Sequence, residues 1–361
     1  MEFGSKSRGK RLVVSMGHSL AVLPGDGIGP EVTQEARRVL EKVAQLGRIT
    51  FEVEEGLIGG AALDAMGDSF PQKTEQLVHD ADATLLGAVG GPAWAGAATT
   101  PEQGLLRLRA SLGCFANVRP FEVLPGLDEI SPLRRPFPGG VIIRELLSGL
   151  YYGQPRGRDG DAAYDTARYS VGEIERLVRL GFQWARRQNT PLISVDKANV
   201  LETSRLWRQI ATRIGREEFP DIPLHHLYVD AAAMEMALGP ERFQVVVTGN
   251  LFGDILSDLT GGLVGSLGVL GSATLRTWGV GPGLYEPVHG SAPDIAGRGI
   301  ANPIGAIWSC ALLLEWSLGL REAGQMVKEA VRATVKEGVR TPDIGGNAST
   351  TDMADAVLRH L

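Results

Sequence analysis

Val245–Asp258, VVVTGNLFGDILSD, holds a whole strand-to-helix turn with acids placed along the helix. The β-branched run Val245-Val246-Val247 predicts a buried strand. Thr248-Gly249-Asn250 breaks it and offers Asn250 as a helix N-cap. Leu251, Ile255, Leu259 and Leu263 then recur every four residues and predict an apolar face, while Asp254 and Asp258 stand four apart on another. Side chains at that spacing lie about 6 Å apart on a helix. Two carboxylates just past the carboxyl end of a strand suit a hard divalent cation, because Mg²⁺ and Mn²⁺ prefer oxygen donors. A second reading makes Asp254 a first-turn acid favoured by the helix dipole. The dipole accounts for Asp254 but not for Asp258, although acids at this spacing are common on solvated helix faces.

Upstream, the same strand-then-helix rhythm recurs. Pro191–Val195 predicts a strand running into Asp196-Lys197-Ala198-Asn199, followed by a helix from about Leu201 to Ile214. Lys197 is either a salt-bridged structural lysine or a catalytic amine, whose pKa falls on burial or beside other cations. His225–Asp230 predicts a strand ending in an acid, with a helix over Ala231–Leu238, which would put Asp230 at the same sheet edge as Asp254 and Asp258. Val171–Arg186 reads as an amphipathic helix with Ile174, Leu177, Val178 and Phe182 inward. Before it, the glycine- and tyrosine-rich stretch after Arg144 predicts an extended arm or hairpin. Arg109 in a helix, and Arg119 and Arg144 at strand ends, are three arginines in a net acidic chain. Together they point to a small anionic ligand, since guanidinium pairs bidentately with carboxylates.

In the first third, Ser19–Leu23, Ile49–Val53 and Ala83–Gly87 predict strands, with helices over Pro30–Ala44 and Phe70–Asp80. The alternation predicts an α/β fold with mostly parallel strands and an active site at their carboxyl ends. Pro24–Glu31, PGDGIGPE, invites a dinucleotide-fingerprint reading. The glycines are spaced GxGxG rather than GxGxxG, and Asp26 and Glu31 would repel a pyrophosphate, so a Rossmann site is not expected. Glu286–Pro303, EPVHGSAPDIAGRGIANP, predicts a long polar loop able to wrap a nucleotide, with helices over Ile304–Leu318, Glu322–Lys336 and Thr351–Leu361 closing the chain.

Composition narrows the function. A chain of 361 residues, 43% hydrophobic and with 47 glycines, is long enough for two domains with many tight turns. A net charge of −6 argues against general nucleic-acid or membrane-surface binding. No apolar run is of membrane-spanning length. Cys114 and Cys310, without a CxxC, give no zinc site or disulfide framework and fit a reducing cytoplasmic setting. Residues 1–17 are basic and Gly/Ser-rich; Glu2-Phe3-Gly4-Ser5 reads as a cloning scar, with Met16 as the natural start, and the stretch is set aside from the fold.

The motifs LPGDGIGPE, EQGLLRLR, FANVRP, VIIREL, SVDKANVLE, YVDAAAM, VVTGNLFGDILSD and EPVHGSAPDIAGRGIANP, in this order, resemble the metal-dependent β-decarboxylating dehydrogenases of the isocitrate/isopropylmalate type. The resemblance covers nearly all of Ser19–Leu361. It implies an isopropylmalate dehydrogenase-like α/β fold, distinct from Rossmann, with a large mixed sheet flanked by helices in two domains. The first domain would be 18–114 with 265–361, and the second 115–264 with an arm at about 151–170. It implies a homodimer with shared active sites. By matching motifs, Arg109, Arg119 and Arg144 would hold malate carboxylates, Tyr151 would donate a proton, and Lys197 and Asp230 would enter from the second subunit. Asp230, Asp254 and Asp258 would bind Mg²⁺ or Mn²⁺. NAD would be lined by His289, Gly290, Ser291, Ala292, Asp294 and Asn302, with Glu102 and Asn199 near its nicotinamide end. Asp294 fits NAD because a carboxylate accepts from a free 2′-hydroxyl and repels a 2′-phosphate.

The resemblance implies oxidative decarboxylation of 3-isopropylmalate in leucine biosynthesis. Residues just before the first arginine read the variable side group, and Leu105 and Leu106 suit an isopropyl group. One methyl there changes specificity by only about 1–3 kcal/mol, which keeps tartrate, malate and homoisocitrate as alternative substrates. A metabolite-binding paralogue without turnover is the alternative from another class. Two departures stand out: Gln103 where the family has a small hydroxyl residue, and LLSG after Arg144-Glu145 where LTGG is more common.

Overall fold

The structure, a computed structural model, describes residues 17–133, 137, 139–277 and 281–361. The reading of the amino-terminal extension therefore lies outside the described residues, Gly17 excepted. Strands are β1 (Gly17–Gly25), β2 (Thr50–Glu55), β3 (Ala83–Ala88), β4 (Ala116–Phe121), β5 (Gly140–Glu145), β6 (Gly157–Asp159), β7 (Ala162–Tyr164), β8 (Leu192–Asp196), β9 (Leu224–Tyr228), β10 (Val245–Thr248), β11 (Gly271–Leu275) and β12 (Gly283–Pro287). Helices are α1 (Gly29–Gly47), α2 (Gly59–Met66), α3 (Gln72–Asp80), α4 (Pro101–Leu112), α5 (Val171–Gln188), α6 (Glu202–Glu218), α7 (Val229–Leu238), α8 (Asn250–Val264), α9 (Ile304–Trp316), α10 (Arg321–Lys336) and α11 (Thr350–Arg359).

Continuous apolar runs form the strands because helices cover both faces of the sheet. Leu20–Leu23 in β1 and all of β10 are buried. Ten strands lie in the order β2-β1-β3-β12-β11-β4-β5-β10-β8-β9, with β6 and β7 a separate hairpin in the arm. The sheet is mixed: β12–β11, β11–β4 and β4–β5 pair antiparallel and the remaining neighbours pair parallel. The two ends of the chain and its middle meet where β11 pairs with β4, Ala273 opposite Val118. Helix α9 is buried from Ile304 to Leu314, so it reads as apolar all round and sits under β11 and β12 between α1 and α10. Among the described residues no helix is long and apolar enough to cross a membrane.

Several local expectations are corrected. Asn250 is the first residue of α8 and not its N-cap; Gly249 takes that place. The apolar stripe of α8 joins the core only at its C-terminal end, where Leu263 is buried and Leu259 packs against the core. Leu251 and Leu259 are half-buried and Ile255 is 56% exposed, whereas Gly253, Leu256, Ser257, Thr260, Gly261 and Val264 are buried. Small residues win because the helix closes on its neighbours: a Cβ on Gly253 would lie 2.6 Å from Arg144 Cγ, and one on Gly261 2.4 Å from Leu267 Cδ2. Strand β9 stops at Tyr228, so Asp230 lies in the first turn of α7. Glu286 and Pro287 belong to β12 rather than to the loop after it.

Asp26 and Glu31 are both tied to backbone amides. Buried Asp26 accepts N–H groups from Gly60 (2.9 Å), Ala61 (2.8 Å) and Gly90 (2.8 Å), fixing the start of α2 and the loop after β3. Glu31 accepts from Gly297 and, at 3.1 Å, from Gly299, tying the loop before α9 onto α1. Asp26→Ala would strand three amides, two of them in buried bonds, and is expected to destabilise the fold by about 3 kcal/mol. Urea unfolding checks this, and a loss below about 1 kcal/mol would contradict it.

Candidate active site

Arg109, Arg119 and Arg144 are placed by α4, β4 and β5, and all three are buried, with 8, 8 and 2% exposure. Buried guanidinium groups require partners. Arg144 donates from Nε to the Asn250 carbonyl at 2.9 Å, from Nη2 to Asn250 Oδ1 at 2.7 Å and from Nη1 to Asp254 Oδ1 at 2.6 Å. Arg119 donates to Asn117 Oδ1 at 2.6 Å, Ser257 Oγ at 2.7 Å and Asp258 Oδ1 at 3.3 Å. Arg109 pairs with Glu286 at 2.7 Å, and its Nε is buried with no partner.

These groups shift one another. Burial lowers the Arg144 pKa to about 10, with Arg119 adding to the fall and Asp254 opposing it. Arg119 is lowered by burial too, whereas at Arg109 burial is outweighed by Glu286, through attraction and hydrogen bond, together with Tyr152 and Asp254, and the pKa is raised. Burial pushes Asp254 up, but Arg144, Tyr151 and Arg119 outweigh it and hold its carboxyl below the usual range. Asp258 is raised by burial. Tyr151 ends a short 3₁₀ turn, Gly149–Tyr151, and donates its hydroxyl to Asp254 Oδ2 at 2.7 Å. Burial and Asp254 raise its pKa, so the phenol keeps its proton at neutral pH.

A second cluster stands apart. Lys197, just past β8, donates to Asp230 at 2.7 Å, and that bond lowers the Asp230 pKa. Strand β10 and the strand-to-helix turn after it separate this pair from Arg144. The expected grouping of Asp230 with Asp254 and Asp258 does not occur within one chain: among the described residues no three acidic, His or Cys side chains converge as a cation site. The reason is topological, since β9 lies two strands beyond β10. Asn199 is exposed in the turn after Lys197.

On the other half of the sheet, the loop after β12 gathers the expected cofactor residues. His289 Nδ1 donates to the Gly290 carbonyl at 2.9 Å, its Nε2 is buried with no partner, and burial lowers its pKa, leaving a neutral imidazole with a free acceptor. Buried Ser291 accepts from Ile28 N through its carbonyl at 2.8 Å. Ala292 takes φ +39°, Gly290 has open space at its Cβ position, and Asp294 is exposed. Asn302 is committed elsewhere: Oδ1 accepts from Ile304 N at 3.0 Å and Nδ2 donates to Asp343 at 3.1 Å. On α4, Glu102 is exposed near Gly90, and Leu105 and Leu106 are half-buried, Leu105 packing on the apolar cluster of Phe70 and Leu108.

The carboxylates Asp254 and Asp258 are oxygen donors on one helix face and fit a hard cation with a further ligand from outside the chain. The partnerless His289 Nε2 fits a nucleotide on its loop. A cavity of about 600 Å³ between α5 and the α9–α10 pair, lined by Trp184, Trp308 and Trp316, includes none of these residues. Glu286, Asn117, Ser257 and Asn250 were missed as site residues. All four sit inside the motifs, but their role as partners of buried arginines depends on contacts between distant segments.

The Isocitrate/isopropylmalate dehydrogenase family matches residues 19–357. The chain belongs to the isocitrate/isopropylmalate dehydrogenase family. A 3-isopropylmalate dehydrogenase of Anaeromyxobacter dehalogenans is 52% identical over 96% of this chain and all of that protein. One from Aquifex aeolicus is 48% identical over 95% of this chain and 97% of its own. The crystal structure of isocitrate dehydrogenase from Methylococcus capsulatus superimposes with a TM-score of 0.86 at 34% identity, covering 95% of this chain and 99% of that one. In this member of the isocitrate/isopropylmalate dehydrogenase family, the arginine cluster depends on Asn250. Asn250→Ala is expected to lower kcat/KM by about 10- to 100-fold, the loss of one to two charge-assisted hydrogen bonds. Steady-state kinetics check this, and a change below about threefold would contradict it.

Proposed function

We propose that the chain catalyses the NAD-dependent oxidative decarboxylation of 3-isopropylmalate to 4-methyl-2-oxopentanoate, a step of leucine biosynthesis. The observation that carries this reading is the convergence of Arg109, Arg119 and Arg144 beside the Tyr151–Asp254 pair, in a chain whose relatives bear the name 3-isopropylmalate dehydrogenase.

Arg109, Arg119 and Arg144 bind the two carboxylates of the malate skeleton, matching planar forks to planar anions. Leu105 and Leu106 face the isopropyl group. Lys197 Nζ of a second copy, in its neutral amine form, takes the proton of the C2 hydroxyl. When bound, NAD⁺ would supply the hydride acceptor for C2, and a divalent cation would supply Lewis-acid charge favouring loss of the C3 carboxylate as carbon dioxide. Tyr151 delivers a proton to C3 from its hydroxyl. Asp254 and Asp258, with Asp230 of a second copy, hold the cation. His289, Gly290, Ser291, Ala292 and Asp294 would line NAD⁺, Asn302 fixing the end of their loop through Ile304 N and Asp343, with Glu102 and Asn199 towards the nicotinamide.

The reading includes a homodimer. Around Lys197 and Asp230, the turn after β8 exposes Val200 (61%), α7 exposes Met234 (58%) and Leu238 (77%), and α8, which packs against α7, exposes Ile255 (56%). Apolar side chains gathered this way mark a surface that another chain covers. Ile255 extends this surface onto α8, and a second copy packed there would bring Lys197 and Asp230 towards the arginines of its partner. The reading also includes two domains: 18–114 with 265–361 as the first, and 115–264, with its arm at 151–170, as the second. The two buried thiols are in keeping with a cytoplasmic setting.

The experiment is NADH formation with 3-isopropylmalate, isocitrate, tartrate and malate, each with Mg²⁺ or Mn²⁺ and again with excess chelator. Metal-dependent turnover dominated by 3-isopropylmalate is expected. Preference for another acid would overturn the role of Leu105 and Leu106, and absence of turnover with all four would overturn the proposed function.

A further inference from the structure

Glu145 follows Arg144 on β5 and is fully buried, yet the chemistry above does not use it. Successive strand residues point to opposite faces, so Arg144 reaches α8 while Glu145 turns towards α5. Its Oε1 accepts from Leu147 N at 3.0 Å and its Oε2 from Ser148 N at 2.8 Å. The same turn is held through its carbonyls by Asn250, whose Nδ2 donates to Leu146 O at 3.2 Å and Ser148 O at 2.9 Å. Gly149 then takes φ +76° against Tyr169, where a Cβ would lie 2.2 Å from the phenol oxygen, and the 3₁₀ turn ends at Tyr151. The route from Glu145 to the Tyr151 hydroxyl is short and fastened at each step.

We propose that Glu145 is a positioning residue, whose carboxylate holds the 146–148 turn and through it sets Tyr151 against Asp254. The inference rests on the reading of Tyr151 as proton donor. It also gives the Leu147-Ser148 segment, where this chain departs from the common LTGG, a place in the site.

The charge of Glu145 is poorly matched. Arg176 of α5 is the facing cation, 3.6 Å away and stacked on Phe115, and its Nε has no partner. The other ionisable groups around the turn are Glu173 at the start of α5, Tyr152 and Tyr169 of the arm, and Arg144. Burial pushes the Glu145 carboxyl up to about 7, against the two amide bonds and Arg176. Ionised, both oxygens accept; protonated, one becomes a hydroxyl and releases an amide. Activity through Glu145 therefore rises as pH passes upward through about 7. Its stability contribution runs the other way: with the folded pKa raised from 4.5, that contribution is full below about 4.5 and lost as pH rises through about 7.

The experiment measures kcat at saturating substrates from about pH 5.5 to 8.5, with melting temperatures, for wild type, Glu145→Gln, Arg176→Gln, Tyr151→Phe and the Glu145→Gln/Tyr151→Phe double variant. Glu145→Gln is expected to lower kcat about tenfold at pH 8, remove the limb near 7 and leave the KM for NAD⁺ within about twofold. Arg176→Gln, which leaves the turn intact, is expected to move that limb to higher pH. In the Tyr151→Phe background, Glu145→Gln is expected to change kcat by less than about twofold, because the two act on one step. A limb unmoved in Arg176→Gln, or a full tenfold loss in the Tyr151→Phe background, would overturn the positioning role. Wild-type kcat in Tyr151→Phe would instead overturn the reading of Tyr151 on which it rests.

Discussion

Three guanidinium groups buried at one point of a sheet repel one another and are stable only with acceptors around them. That requirement organises the site. Asp254 takes Arg144 and faces Arg119, Asp258 takes Arg119, and Glu286 takes Arg109. Asn117, Asn250 and Ser257 supply neutral acceptors, so the cluster is neutralised without being closed off. Such a pocket suits a dicarboxylate: guanidinium donors are pre-oriented, and the groups that balance them include the pair best suited to a hard cation.

The sheet makes the cluster possible. Arg109 and Glu286 come from segments near the two chain ends, while Arg119, Arg144, Asp254 and Asp258 come from the middle of the chain. They meet because β4 runs antiparallel between β11 and β5, carrying Arg119 at the junction. Helix α8 approaches β5 closely enough for Asn250 and Asp254 to reach Arg144 only because Gly253 has no side chain. That approach leaves Ile255 exposed on the outer side of α8, with Leu251 and Leu259 half-buried beside it, a side that the proposed second copy covers.

Periodicity read the fold well where elements are long and one-sided. Helices α1 and α5 bury the residues that their spacing selects, and β10 is buried throughout. At α8 it holds for Leu263 and Leu259 but not for Ile255, because four-residue spacing of large apolar residues identifies a sticky face without saying what it sticks to. Helix α2 was invisible since Gly59-Gly60-Ala61-Ala62 carries little pattern, and its start depends on Asp26 from a distant loop. At the site, the motif residues Arg109, Arg119, Arg144, Tyr151, Asp254 and Asp258 come together. Lys197 and Asp230 do not join them within the chain, and no local pattern could reveal that β9 lies two strands beyond β10. The partners Glu286 and Asn250 were hidden for the same reason: their work is done across 177 and 106 residues of chain.

The central claim is that one chain holds an incomplete site, with the arginines and Tyr151 on one copy and Lys197 on the other. Subunit complementation tests it: Lys197→Ala and Tyr151→Phe chains, each retaining only a small fraction of wild-type activity, are denatured together, refolded and measured for NADH formation from 3-isopropylmalate. A shared site predicts recovery to about a quarter of wild-type specific activity, because half of the dimers are mixed and one of their two sites has both residues. Activity no higher than that of either variant alone would contradict the account.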